Sequence, residues 1–444
     1  VIAINAPCGT GKSAIAKAIM EEFPDAVYMT PNNMLVHQLA EFYPDVNVLI
    51  GKKHYTCTKD STMSCELAML RKGHRQCKEC PYLQAREAYL LGHRPTAFNP
   101  ISYWYAQKDS RWKKPSVVIV DEADKLIEML MLISGDTFGS KYKPPRNLND
   151  LIEVADWLKS KLEVLSTLVY NAPAESADKY LGELDKVQRV LSAIELSPEN
   201  FVFENDDKGD LVIFPTDPPR RVIEDLLNAD HIVLMSATLY RSDVEEITNE
   251  YSYLELDSPI DEARRRIIVS PSVVRFNWKT DPVLIADWIR EQMIKYPSRN
   301  TIAHVTYEDA KKLKKYFKEA YVHTPETKKE VLREFKEKGG LWLASGVHEG
   351  IDLPDELCTL NLIPRLPRAN ITDPIIKRRL ARAGGQRGYD ISVLKVLQQA
   401  AGRTTRHEED YSTVVVADAS FLTLIKKYKH LLPKSFLEAI HEHN

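Results

Sequence analysis

The chain has 444 residues, 44% of them apolar and 28% charged, with a formal net charge of -3. That length predicts two or more domains, and the composition is that of an ordinary globular protein rather than a disordered or fibrous one. No apolar run reaches the length of a membrane span and no signal-peptide pattern opens the chain, so a membrane protein or secreted disulfide scaffold is not expected. The near-neutral charge leaves room for a nucleic-acid groove, which needs only local positive potential.

The first residues, VIAINAPCG, begin inside a strand without an initiator Met, and we expect further chain upstream. IAINAPCGTGKSAIAKAIM then reads as a buried strand, a tight loop and a helix. Residues 6 to 13, APCGTGKS, fit the phosphate-loop pattern with Ala6 in place of its first Gly. Gly9, Thr10 and Gly11 would turn backbone N–H groups toward phosphates, and the helix N-terminus adds its dipole. Lys12 would reach the β- and γ-phosphates of a nucleotide, and the Ser13 hydroxyl would ligate Mg²⁺.

Four of the six cysteines follow close together, as Cys57, Cys65, Cys77 and Cys80, while Cys8 and Cys358 stand apart. In a large enzyme this grouping predicts a metal site rather than disulfides. By ligand count, tetrahedral zinc and a cubane iron–sulfur cluster suit it equally. Downstream, PSVVIVDEADKL is a continuous apolar strand ending in two carboxylates. Asp121 is placed to hold Mg²⁺ and Glu122 to orient and deprotonate an attacking water. With the phosphate loop, this pair predicts a nucleotide-hydrolysing enzyme.

From 133 to 214 the strand–helix alternation stops. LIEVADWLKSKLEVLSTLVY and ADKYLGELDKVQRVLSAIEL are amphipathic, the second through Tyr180, Leu184, Val187, Leu191 and Ile194, and their short linker predicts an antiparallel helical hairpin. FVFENDDKGDLVIF predicts a β-hairpin turning near residues 207–209.

Three later segments each follow a strand: Ser236-Ala237-Thr238, Glu349-Gly350-Ile351-Asp352, and a stretch with Gln399, Gly402, Arg403 and Arg406. Between the last two, Arg365, Arg368, Lys377, Arg378, Arg379, Arg382 and Arg387 form a basic stretch that could touch phosphates or be a solvated face. Tyr103, Trp104 and Tyr105 are candidates for stacking on bases, with core packing the expected use of at least one. The lysine-rich helices at 311–318 and 328–338 read as surface.

The ordered set resembles the motifs of helicase superfamily 2. With GKKHYTC, CPYLQAREAYL and TAFNPISYW around the cysteines, it is similar to the XPD/DinG-type helicases. The resemblance implies an α/β protein of two RecA-like domains with parallel sheets, the first carrying a cysteine-cluster insertion and a helical, arch-like insertion. The expected division is 1–55, 84–135 and 205–241 for the first RecA-like domain, 56–83 for the cluster insertion, 136–204 for the arch and 242–444 for the second domain. It implies ATP bound between the domains by the phosphate loop with Glu349 and Asp352. Catalysis is assigned to Lys12, Asp121, Glu122 and Gln399, with Arg403 and Arg406 as arginine fingers.

It further implies a 4Fe–4S cluster on Cys57, Cys65, Cys77 and Cys80, and 5′→3′ travel of an intracellular, monomeric enzyme on single-stranded, 5′-overhang or forked DNA. Cys8 and Asp124 stand where many relatives have Thr and His, and neither change removes a phosphate or metal ligand. Two other readings stay open: a zinc-stabilised RNA-dependent ATPase or remodeller, and a nucleic-acid-binding module whose ATPase has decayed.

Overall fold

The computed structural model describes residues 1–442 except 32, 73–78, 146–147, 149, 199–200, 207–208, 218–219, 273–274, 325, 347–352, 354–356, 382–383, 403–404 and 406–407. The assignments to Cys77, Glu349, Asp352, Arg382, Arg403 and Arg406 therefore lie outside the described residues.

Two parallel sheets organise the chain, as expected of two RecA-like domains. The first runs in the order Ser252–Glu255, Ile2–Asn5, His231–Ser236, Val117–Asp121, Val27–Met29, Thr96–Phe98, Asn47–Val48. The second runs Gly340–Ala344, Asn300–His304, Leu360–Ile363, Ser412–Val416, Arg265–Val269, Ile440–Glu442. The central strands carry buried apolar side chains on both faces because helices cover both faces of each sheet. Val118 and Val120 enter the core on one face of the first sheet, while Val117 and Ile119 enter the core on the other. Val414 and Val416 likewise oppose Val415 in the second sheet.

The helices Leu151–Asn171 and Ala174–Leu196 form the expected antiparallel hairpin, joined through Ala172 and Pro173. Val187, Leu191 and Ile194 are buried on its inner stripe against Val154, Trp157 and Leu158, with Tyr180 and Leu184 partly buried beside them. Asp150 caps the first helix by accepting from the backbone N–H of Ile152 and Glu153, both at 2.9 Å. No helix of the described residues is long and apolar enough to cross a membrane.

Two expected boundaries move. Ser252–Glu255 pairs with Ile2–Asn5 in the first sheet, so the first domain runs beyond residue 241. Leu211–Pro215 pairs antiparallel with both Phe201–Asn205 and Asp136–Phe138, and its side chains share the hairpin's core. The hairpin insertion therefore extends to residue 215 rather than 204, because the helices need this small sheet to cover their apolar face.

The cysteine insertion starts with the paired strands Thr56–Cys57 and Asp60–Ser64 and the helix Cys65–Lys72. It is fastened to the helical hairpin. Leu67 is fully buried with Val169, Ala177 and Leu181. Arg71 donates through Nε and Nη2 to the Val169 carbonyl at 2.9 and 2.6 Å, and also to the Ala172 carbonyl, capping the end of the first hairpin helix. Ser64 donates to Asp178 at 2.6 Å.

Candidate nucleotide site and cysteine centre

The strand Ile2–Asn5 delivers the phosphate loop to the start of the helix Lys12–Glu22. Gly9 and Gly11 both take positive φ, 83° and 82°, where a side chain would be strained. Thr10 donates to the Pro7 carbonyl at 2.8 Å, and Lys12 Nζ folds into the loop to reach the Ala6 carbonyl at 3.0 Å. Ser13 is exposed at the first turn of the helix. This is a cradle of N–H donors with an amino group in its hollow, suited to a polyphosphate.

Two strands away in the same sheet, Val117–Asp121 brings its terminal carboxylate to the loop's side. Asp121 accepts from the Tyr28 hydroxyl at 2.6 Å and from the Glu122 N–H at 3.0 Å. Burial and the Asp121 charge hold the Tyr28 phenol well above its ordinary pKa, so it stays a donor. Glu122 adopts a left-handed conformation with φ 51°, an uncommon state for a side-chain-bearing residue that turns its carboxylate off the strand axis. Burial, then Asp124 and Asp121, push the Glu122 carboxyl above the usual carboxylate range, with Lys12 opposing. A raised proton affinity suits a group that must take a proton from water.

Ser236 and Thr238 close the site. Ser236 Oγ donates to Asp124 at 2.5 Å and lies 3.2 Å from Glu122 Oε2, and Thr238 Oγ1 donates to Asp124 at 2.7 Å. From the second domain, the helix Gly385–Ala401 crosses the cleft. Gln399 Nε2 reaches Asp124 at 3.4 Å and Thr238 at 3.3 Å, while Gln398 Nε2 donates to the Ala237 carbonyl at 2.9 Å. The fully buried Tyr240 donates its hydroxyl to Gln398 at 2.8 Å, and Lys395 pairs with Asp243. The two domains enclose a cleft of about 140 Å³ whose walls include Pro7, Lys12 and Glu122 on one side and Gln398, Gln399 and Gly402 on the other.

The structure brings Lys12, Asp121, Glu122 and Gln399 to one cleft. Tyr28, Tyr240, Lys395 and Gln398 are additional members that no motif singles out. Arg265 also lines the cleft, but it is engaged by the carbonyls of Ile260 and Ser435 and by Glu438.

At the cysteine centre, Cys57, Cys65 and Cys80 are all buried, and the Cys65 and Cys80 sulfurs are 3.2 Å apart. Burial and the neighbouring sulfurs push the Cys65 thiol up to about 12. Tyr55, Met69, Tyr82 and Leu83 pack around the pair. Buried, mutually repelling sulfurs in an apolar surround are a donor set that a cation stabilises as thiolates, so the chemistry fits a metal group. Tetrahedral Zn–S bonds of about 2.3 Å space their sulfurs about 3.8 Å apart, a small opening from the spacing here. A cubane needs a wider one. No group of three or more metal-ligating residues forms a ready-made metal site among the described residues.

A second cleft, of about 610 Å³, lies where the first domain, the cysteine insertion and the helical hairpin meet, with Lys52, Asn99, Tyr105, Lys108, Asp185 and Arg189 in its walls. The stacking candidates divide here. Tyr103 and Trp104 are core residues, 0% and 5% exposed, and Tyr105 is 38% exposed with its hydroxyl 3.2 Å from Asp185. Tyr103 and Trp104 are therefore removed from the stacking set, because the helix Pro100–Ala106 turns them into the main core.

Residues 286–439 match the helicase C-terminal domain family, and the structure superposes on a solved XPD helicase with a TM-score of 0.67, covering 100% of this chain and 96% of that one at 14% identity. The second domain is thus similar to helicase C-terminal domains over the matched residues, and the whole chain has the fold of the XPD structure. Another solved relative, S. tokodaii Xpd4, aligns at a TM-score of 0.59 and 15% identity over 100% of this XPD-fold chain and 96% of its own. In sequence, a regulator of telomere elongation helicase 1 homologue from Drosophila sechellia is 30% identical over 118 residues, 23% of this chain. The match spans 12% of that relative's length. The homologue from Drosophila willistoni is 32% identical over 98 residues, 19% of this chain and 10% of the relative.

Proposed function

We propose that this protein is an ATP-driven helicase that moves 5′→3′ on single-stranded DNA and unwinds duplexes. The observation that carries the reading is the polar network that joins the phosphate-loop domain to the second domain through Asp124, Thr238 and Gln399. A site assembled from two bodies converts nucleotide binding into relative motion.

In this reading the loop from Gly9 to Lys12 holds the phosphates, and Ser13 and Asp121 hold Mg²⁺, which neutralises charge on the β- and γ-phosphates when bound. Glu122 takes the proton of the attacking water, its position fixed by Ser236. Gln399 senses closure, and Arg403 and Arg406 stabilise charge on the transferring group, with Glu349 and Asp352 completing the nucleotide contacts. The cleft with Lys52, Lys108 and Arg189 in its walls takes the displaced strand, since these cations meet phosphates between the cysteine insertion and the hairpin.

Cys57, Cys65, Cys77 and Cys80 would hold a 4Fe–4S cluster, which makes the small insertion rigid beside the strand; the XPD fold supports this assignment. The 3.2 Å separation of Cys65 and Cys80 favours a second reading, one zinc ion, in an otherwise unchanged motor. Intracellular location and a monomeric state belong to the same proposal.

Unwinding of matched partial duplexes tests the polarity. A substrate with a 5′ single-stranded overhang is expected to be opened, and opening of the 3′-overhang substrate alone would overturn the direction.

A further inference from the structure

The second domain carries an exposed aromatic that the motifs do not use. The strand Arg265–Val269 ends at Ser270, whose carbonyl accepts from Trp288 Nε1 at 3.2 Å, so the next helix, Pro282–Lys295, packs back beside the strand. Within the connecting loop, Phe276 is buried edge-on against Trp288, with ring centroids 6.2 Å apart. Two residues later Trp278 is 77% exposed, whereas Trp104, Trp157, Trp288 and Trp342 are all buried.

Cations flank this indole. Lys279 Nζ sits 4.7 Å from the ring centroid. Arg275, with 68% of its side chain exposed, lies 3.7 Å from Asp418 just past the neighbouring strand Ser412–Val416. The loop therefore overhangs the carboxyl ends of two adjacent strands, the edge at which open parallel sheets take ligands. Tyr307, 39% exposed, follows the strand Asn300–His304 on the same edge. That strand is three positions from Arg265–Val269 in the sheet, about 14 Å at the usual strand spacing.

An aromatic face in water, flanked by cations on a strand-end edge, has the chemistry of a sequence-tolerant single-strand platform. We infer that Trp278 stacks on a base of single-stranded nucleic acid bound along this edge, with Lys279 contacting the adjacent phosphate. The inference rests on the proposed helicase reading and adds a contact on the second domain to it.

Titration with oligothymidylate, followed by tryptophan emission and by anisotropy of a labelled strand, tests it. Stacking is expected to quench the exposed indole, and Trp278→Ala to remove that quenching and weaken binding about 5- to 150-fold, the range of one base–aromatic stack. Trp278→Phe should retain most of the affinity, and Lys279→Ala should lower the salt slope by about 0.7. Unchanged thermal unfolding of Trp278→Ala would show that the fold is intact. Wild-type binding that Trp278→Ala leaves untouched overturns this inference alone. No binding by the wild type overturns the helicase reading together with it.

Discussion

Asp124 accepts a hydrogen bond from Gln399 at 3.4 Å across the cleft between the two domains. The same carboxylate accepts from Ser236 and Thr238 of its own domain, so one acidic group joins the end of the strand Val117–Asp121, the Ser236–Thr238 segment and the second domain. Removing the reach of Gln399 should uncouple the domains without disturbing either core. Gln399→Ala is expected to lower nucleic-acid-stimulated ATP turnover about fivefold, the effect of losing one bond of about 1 kcal/mol. Thermal unfolding measured in parallel should move little.

Glu122 carries the chemical step in this account. Glu122→Gln keeps the shape but cannot accept a proton, and steady-state turnover should fall about 10²- to 10⁴-fold. The base must be deprotonated to work, and its proton affinity is raised by burial and by Asp124. The acid limb of the turnover–pH profile should therefore lie above the range of an ordinary carboxylate. A profile flat down to that ordinary range would remove Glu122 from the role.

Arg71 ties the cysteine insertion to the hairpin by bonding the Val169 and Ala172 carbonyls at a helix end. Arg71→Ala leaves partly buried carbonyls without this donor, at a cost of about 1–3 kcal/mol local to the junction. Amide hydrogen exchange is expected to speed up around Val169 and in the helix Cys65–Lys72, while the two large sheets keep their protection.

Metal content separates the two readings of the cysteine centre. Anaerobically purified protein should contain iron and acid-labile sulfide, about four of each per chain for a cubane, or else a single zinc ion without sulfide. Because Cys65 binds its proton tightly at a pKa of about 12, ligation must release protons. Affinity for the metal group is therefore expected to weaken as pH falls, and chelation should loosen the insertion. Cys80→Ser should reduce retained metal in the same assay.

Much of this site is legible in the sequence because its determinants are local. Gly9 and Gly11 announce a positive-φ loop by their spacing before Lys12, and VVIVD reads as a strand because both of its faces are buried. The long-range partners leave no comparable mark. Tyr28 reaches Asp121 across 93 residues, and Lys395 reaches Asp243 across 152; each partner looks unremarkable in its own segment. The first domain's last strand is missed for a related reason: Ser252–Glu255 is an edge strand, mostly exposed, and lacks the apolar run that marks the inner ones. Asp136–Phe138 is too short to declare that it pairs with residues more than seventy positions later, so the hairpin insertion reads shorter than it is.

The most direct test of the central claim is steady-state ATP turnover by the intact protein, measured without nucleic acid, with single-stranded DNA and with RNA. Turnover stimulated by single-stranded DNA and abolished by Lys12→Ala is the predicted result. Absence of turnover under all three conditions, or stimulation by RNA alone, would contradict the assignment of this two-domain site to a DNA motor.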